Sequence, residues 1–238
     1  MLPNEHSEYW HSSCNNTWFK YERGVLILFT IKPRVAGVTE ELRDLYETVS
    51  PSTIGHLTDF GFLTGLQPLF RPIHFVGNAV TVRIPHIDAT AIRHALELVE
   101  PGDVIVVDMS GDEQRACWGE FMTYAAMTKK VVGAIVSGCV TDVRPIMEVG
   151  FPVFSRGISP LTTRALNLEG EVNTTVSICG VGINPGDLVV ADDDGVFVVN
   201  PAQAKDFAIK ALEKQQKEKQ MREERGYDQL YLSRVKQS

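Results

Sequence analysis

Two short runs hold the residue types from which a polar reaction centre can be built: Cys117-Trp118-Gly119-Glu120-Phe121-Met122 and Ser137-Gly138-Cys139-Val140-Thr141-Asp142. In the first, glycine precedes a stretch of helical character. The opening N–H groups of such a helix have no acceptor one turn earlier and point outward. That terminus suits a carboxylate or a phosphate. In the second run an apolar segment ends in a glycine loop that delivers Asp142 to the start of the next expected helix. A carboxylate there can cap the helix or ligate a hard metal ion, and spacing alone leaves both readings open. Taken singly, Gly119-Glu120 is equally an ordinary helix start.

The elements that must position these runs are readable from periodicity. Thr39-Glu40-Glu41-Leu42 resembles a helix start, and Leu42, Leu45, Tyr46 and Val49 form an apolar stripe that Pro51 is expected to stop. A second short helix is expected to start over Ser52–Leu57 and to run out at Gly61 and Gly65. Asn78 to Ile84 alternates like a half-buried strand, and Ala89 to Val99 returns to helical spacing with Ile92, Ala95, Leu96 and Val99 on one side. Pro101-Gly102-Asp103 and Pro185-Gly186-Asp187 are turns, each leading into a continuous apolar strand that ends at aspartate, Asp108 or Asp192. Helix from Gly119 to Lys130, strand from Val131 to Val136, helix from Val143 to Val149 and strand at Val153-Phe154 predict a parallel layer. From Val172 to Val199, strands and turns without helices predict a second, antiparallel layer. The domain plan is an N-terminal appendage (residues 1–34), one α/β domain (35–200) and a helical tail (201–238) with Phe207, Ile209, Ala211 and Leu212 early and interleaved charges later.

Composition narrows the function. Hydrophobic residues at 44% and charged residues at 22% are ordinary for a globular chain, and a formal net charge of -7 argues against a surface built to neutralise phosphates, so nucleic acid is not an expected partner. The longest apolar run, Val25 to Phe29, is too short to span a bilayer, and no signal-peptide pattern precedes it. No membrane partner is expected, and the location expected is cytoplasmic. Cys14, Cys117, Cys139 and Cys179 lie far apart with no metal-knuckle spacing, which reads as reduced thiols. His56, His74, His86 and His94 lack paired ligand spacing. Asp192-Asp193-Asp194-Gly195 lacks the pattern of a calcium loop and reads as a tight acidic turn. A methyltransferase is disfavoured because no glycine-rich loop follows a first strand.

The ordered set Gly77-Asn78-Ala79-Val80-Thr81-Val82-Arg83, Pro101-Gly102-Asp103-Val104, Trp118-Gly119-Glu120, Gly138-Cys139-Val140-Thr141-Asp142-Val143, Gly150-Phe151-Pro152-Val153-Phe154 and Val190-Ala191-Asp192-Asp193-Asp194-Gly195-Val196 is more specific than any single motif. Over Thr39 to Val199 it resembles the family that contains the 4-hydroxy-4-methyl-2-oxoglutarate / 4-carboxy-4-hydroxy-2-oxoadipate aldolases and the regulator of ribonuclease E activity A (RraA-like). The resemblance implies an α/β/β swivelling-domain (phosphohistidine-domain-like) sandwich, assembled as a homotrimer or homohexamer with sites between subunits. It implies a divalent-metal-dependent lyase that uses Mg2+ or Mn2+ to cleave a 4-hydroxy-2-oxo acid, or to decarboxylate oxaloacetate, through a pyruvate enolate.

By that resemblance Glu120 matches the family's acidic position and Asp142 the metal-ligating aspartate. The amides of Glu120, Phe121 and Met122, opened by Gly119, would hold the carboxylate of a small oxo-acid substrate, and Glu120 would reach the metal through water. Thr141 stands where the aldolases have arginine, in the part of the pocket that meets the substrate. A threonine hydroxyl supplies neither the permanent charge nor the planar donors of a guanidinium. Arg115 and Arg144 are candidates to compensate, Arg144 on the argument that helical geometry brings it back towards position 141. Glu213 and Glu218 are candidates for an acidic residue contributed by a neighbouring subunit. The alternative is a non-catalytic regulator of the ribonuclease-E-inhibitor type.

Overall fold

The computed structural model describes residues 9–12, 17–22, 25–227 and 229, with side chains described from residue 27 onward. Its elements run β1 (Tyr9–Ser12), β2 (Thr17–Glu22), β3 (Val25–Ile31), α1 (Glu40–Tyr46), α2 (Pro51–Ile54), β4 (Gln67–Pro68), β5 (His74–Arg83), α3 (Thr90–Leu98), β6 (Asp103–Asp108), β7 (Ala116–Trp118) and α4 (Glu120–Thr128). They continue β8 (Gly133–Val136), β9 (Cys139–Val140), α5 (Val143–Glu148), β10 (Val153–Ser155), β11 (Gly157–Ile158), β12 (Glu169–Val172), β13 (Val176–Ile178), β14 (Val181–Ile183), β15 (Leu188–Asp192), β16 (Gly195–Val199) and α6 (Pro201–Glu224). Cys14 lies outside the described residues, as does the end of the tail read over 201–238.

Local chemistry explains the helix starts. The Thr39 side chain accepts from the Leu42 N–H and caps α1. Pro51, expected to stop that helix, instead opens α2, because α1 has already ended at Tyr46 and the first helical position needs no N–H. Leu42, Tyr46 and Val49 are buried, as their stripe predicts.

The expected parallel layer forms, with β5 beside β6, β6 beside β8 and β8 beside β10. One expectation fails. The strand predicted to be half-buried, β5, is buried from Phe75 to Val82 on both faces. Val80 and Val82 pack with Ile92 and Ala95 of α3, while Phe75 and Ala79 pack with Val176, Ile178 and Val196 from the antiparallel strands. Its polar positions are satisfied internally: Thr81 donates to the Thr174 carbonyl at 2.6 Å, and Asn78 bonds to Val35, Gly37, Val38 and Asp103. Polar letters in the sequence therefore mimicked a solvent face.

The antiparallel strands are hydrogen-bonded to the parallel ones rather than standing wholly apart. The hairpin β15–β16 pairs with the first half of β5 over residues 74–78, and the second half of β5 pairs with β6 and β12. A ten-residue strand is long enough to serve both. The two-stranded sheet β13–β14 stands separately. Within residues 25–34, β3 runs parallel to β12, and Arg34 makes a bidentate contact with the fully buried Asp103 at 2.7 Å for each bond. In α6 the buried residues are Ala204, Ala208 and Ala211, while Ile209 is exposed. Small side chains on this face let the helix approach α1, where the buried Tyr46 hydroxyl donates to the Ala204 carbonyl at 2.8 Å.

Candidate functional site

A three-stranded sheet of very short strands, ordered β11-β9-β7, brings the two runs together. Strands β7 and β9 are parallel, with Ala116 opposite Cys139 and Trp118 opposite Val140 across a bulge at Cys117. Parallel neighbours end on the same side, and each of these is followed by a helix N-terminus, α4 or α5. The junctions are tied by the Thr141 N–H, which donates to the Trp118 carbonyl at 2.9 Å.

Trp118 anchors α4. Its indole N–H donates to Thr123 Oγ1 at 2.9 Å in the first helical turn, and its ring stacks on Phe151 at 6.0 Å between centroids with planes 8° apart. Sequence reading assigned no role to Thr123, which no pattern marks, and marked Phe151 only as part of the Gly150-Phe151-Pro152-Val153-Phe154 run. Gly119 is the N-cap residue of α4, with φ -153° and ψ -164°.

Asp142 is the N-cap residue of α5 but does not cap it through its side chain; the backbone is left-handed at φ 54° and ψ 43°. This conformation turns the carboxylate to the neighbouring helix instead, where Oδ2 accepts from the Glu120 N–H at 3.0 Å. The simple capping alternative for Asp142 therefore does not describe it. The sequence-based expectation also changes for the amides. Glu120 already donates to Asp142, whereas Phe121 and Met122 donate no hydrogen bond among the described residues. Met122 packs against the core, while Phe121 and Glu120 are exposed.

Neither candidate arginine is tied to Thr141, Asp142 or Glu120 by a hydrogen bond or ion pair among the described residues. Arg115 is committed to the buried Asp112, with Nη1 to Oδ2 at 2.9 Å. Burial alone would raise the Asp112 carboxyl, but bonds from the Arg115 backbone and guanidinium and from the Gln114 amide outweigh it and hold it below the ordinary aspartate range. Arg144 is exposed and, among the described residues, has no ion pair. The angular argument for it lapses because Thr141 precedes α5 and is not helical. Glu213 and Glu218 lie on α6, which packs against α1 and α2, and Glu218 pairs with Lys214 at 2.9 Å. Burial raises the Cys117 thiol, the setting of a structural core cysteine rather than of a nucleophile.

Among the described residues no group of three or more His, Cys, Asp or Glu side chains is gathered as a metal cage. The junctions carry the Asp142 carboxylate and, on the residue whose N–H it accepts from, the carboxylate of Glu120. This fits a hard cation such as Mg2+, which commonly binds through one or two carboxylates and keeps several waters or substrate oxygens. It does not fit zinc in a closed structural site, which needs four protein ligands. No helix among the described residues is long and apolar enough to cross a membrane.

The paired junctions, set beside a mixed sheet with parallel and antiparallel strands, define a class. A sequence model of the RraA-like family (Aldolase/RraA) matches residues 42–198, and the chain belongs to that family. Among its relatives is a protein of Halalkalibacterium halodurans named "Putative 4-hydroxy-4-methyl-2-oxoglutarate aldolase", 37% identical over 157 residues, or 64% of this chain and 74% of that one. An uncharacterized protein of Methanocaldococcus jannaschii is 33% identical over 183 residues, covering 74% of this chain and 87% of its own. The crystal structure of Streptomyces coelicolor RraAS2, described as an unusual member of the RNase ES inhibitor RraA family, superposes with a TM-score of 0.72 at 30% identity. That match covers 80% of this chain and 99% of that one. The mixed α/β fold matches RraA-like structures.

Proposed function

We propose that the protein is a divalent-metal-dependent lyase that releases pyruvate from a small oxo acid, by retro-aldol cleavage of a 4-hydroxy-2-oxo acid or by decarboxylation of oxaloacetate. The observation that carries this reading is the Glu120 N–H to Asp142 bond, which joins residues 22 positions apart into one site. The names of the aldolase relatives add the substrate class. In either reaction a carbon–carbon bond to C3 breaks and its electron pair remains on the pyruvate fragment as an enolate, which then takes a proton at C3. In the cleavage the 4-hydroxyl gives up its proton to a base as the bond breaks and the other fragment leaves as a carbonyl compound; in the decarboxylation it leaves as carbon dioxide.

Asp142 would hold Mg2+ or Mn2+, and Glu120 would reach it through water; such an ion supplies Lewis acidity towards the 2-oxo group. The unbonded amides of Phe121 and Met122, at the positive end of α4, would take the substrate carboxylate. Gly119 and Thr141 would complete the substrate-binding side of the site. The reading carries with it the swivelling-domain classification, a homotrimer or homohexamer, and a cytoplasmic location. The direct assay is pyruvate release from oxaloacetate or a 4-hydroxy-2-oxo acid at saturating Mg2+ or Mn2+. No pyruvate above the uncatalysed rate from any such substrate would sink it. In that outcome Thr141, which replaces the family's arginine, and the likeness to the Streptomyces protein favour the second reading, a non-catalytic regulator of the ribonuclease-E-inhibitor type.

A further inference from the structure

We infer that Gly119 is a positioning residue for Asp142: the missing side chain at 119 is what lets the Asp142 carboxylate reach the Glu120 N–H. This deepens the metal-site reading above and rests on it only where metal is concerned. The torsions at Gly119, φ -153° and ψ -164°, are extended, so the backbone does not demand glycine. Space does. A Cβ at position 119 would stand 2.5 Å from Asp142 Oδ2 and 2.9 Å from Thr141 Cγ2.

The two contacts would yield unequally. Thr141 is β-branched and its N–H is held by the Trp118 carbonyl at 2.9 Å, so its methyl has little freedom to retreat. The Asp142 carboxylate is the far end of an exposed side chain held on the protein by the Glu120 N–H. It would swing away, and the hydrogen bond would break while the fold stayed intact. An alanine at 119 therefore acts on the placement of one carboxylate rather than on packing.

The test is amide hydrogen exchange, read by NMR on the full chain. In Gly119→Ala the Glu120 amide should exchange about tenfold or more faster, the effect of losing a bond to a charged acceptor. The Thr123 and Thr141 amides, which donate to Gly119 and Trp118, should keep their protection and so report an intact junction. Asp142→Ala should accelerate Glu120 by itself, and adding Gly119→Ala to it should change little, because both act through the same bond. An unchanged Glu120 rate in Gly119→Ala, or the same acceleration in the Asp142→Ala background, overturns the inference. With Mn2+ as the probe, Gly119→Ala should weaken binding about 10- to 100-fold, as expected for a group that orients a ligand. A wild-type chain that binds no Mn2+ would sink the metal reading, and the exchange measurements would still decide the role of Gly119.

Discussion

Replacing Thr141 with arginine tests whether the site lacks only its charged donor. The backbone at 141 is fixed by its bond to the Trp118 carbonyl, so the new side chain starts from a defined point. Thr141 is partly exposed, which leaves a path for a guanidinium without burying it, and Asp142 and Glu120 supply negative charge nearby. A preorganised donor at a developing oxyanion is worth about 2.7–4 kcal/mol, or roughly 100- to 1,000-fold in rate. An introduced arginine must first be ordered, which costs about 1.5–2 kcal/mol in side-chain freedom. The difference, about 0.7–2.5 kcal/mol, predicts a gain of about 3- to 70-fold in kcat/KM. The assay couples pyruvate to NADH oxidation through lactate dehydrogenase at saturating Mn2+, with the uncatalysed rate subtracted. Thr141→Lys should gain less, since an ammonium lacks the planar fork. A folded Thr141→Arg protein whose kcat/KM rises less than about threefold would refute the reasoning, because threefold, about 0.7 kcal/mol, is the low end of the estimate.

Two further predictions concern the frame around the site. The fully buried Asp103 accepts two bonds from Arg34, one from the Glu100 N–H at 2.8 Å and one from Asn78 at 3.2 Å, so Asp103→Ala leaves a largely buried guanidinium with the exposed Glu100 carboxylate, at 3.0 Å, as its remaining ion-pair partner; urea denaturation should register a loss of about 3 kcal/mol, the low end for a broken buried pair, and a loss under about 1 kcal/mol would contradict it. Asp88 is pushed up by burial, but bonds from the Thr90 hydroxyl and from the Leu168, Leu166 and Thr90 amides prevail and hold it below the ordinary aspartate range. A depressed folded value means that its stabilising effect is complete above the unfolded value and is lost as pH falls through the folded one. The destabilisation measured for Asp88→Asn should therefore be largest near neutral pH and shrink in acid, and a pH-independent difference would exclude the ionised carboxylate as its source.

The main sheet and the helices on it were legible because their signals are long: helical stripes at Leu42 and Ile92, and apolar runs after two Pro-Gly-Asp turns, each exceed a helical turn or half a strand. The sheet that builds the site was not, because β7 has three residues and β9 and β11 have two each, lengths at which alternation carries no information. For the same reason Cys117 and Cys139 read as isolated thiols, although they lie on neighbouring strands that aim two helix starts in one direction. The buried face of β5 was hidden by Asn78 and Thr81, whose partners are far away in sequence at Val35, Asp103 and Thr174. Motif order did find the residue types, Gly119-Glu120 and Thr141-Asp142, but not their division of labour. That division depends on one torsion, the positive φ of Asp142, which takes the carboxylate off its own helix and onto α4. Once it is there, a side chain at 119 would collide with both the Asp142 carboxylate and the Thr141 methyl, so the glycine follows from the placement of the two residues that face it. Thr141 is then not simply an arginine lost: it is a residue whose methyl fits against Gly119, and any restored arginine must take a path that leaves that contact open.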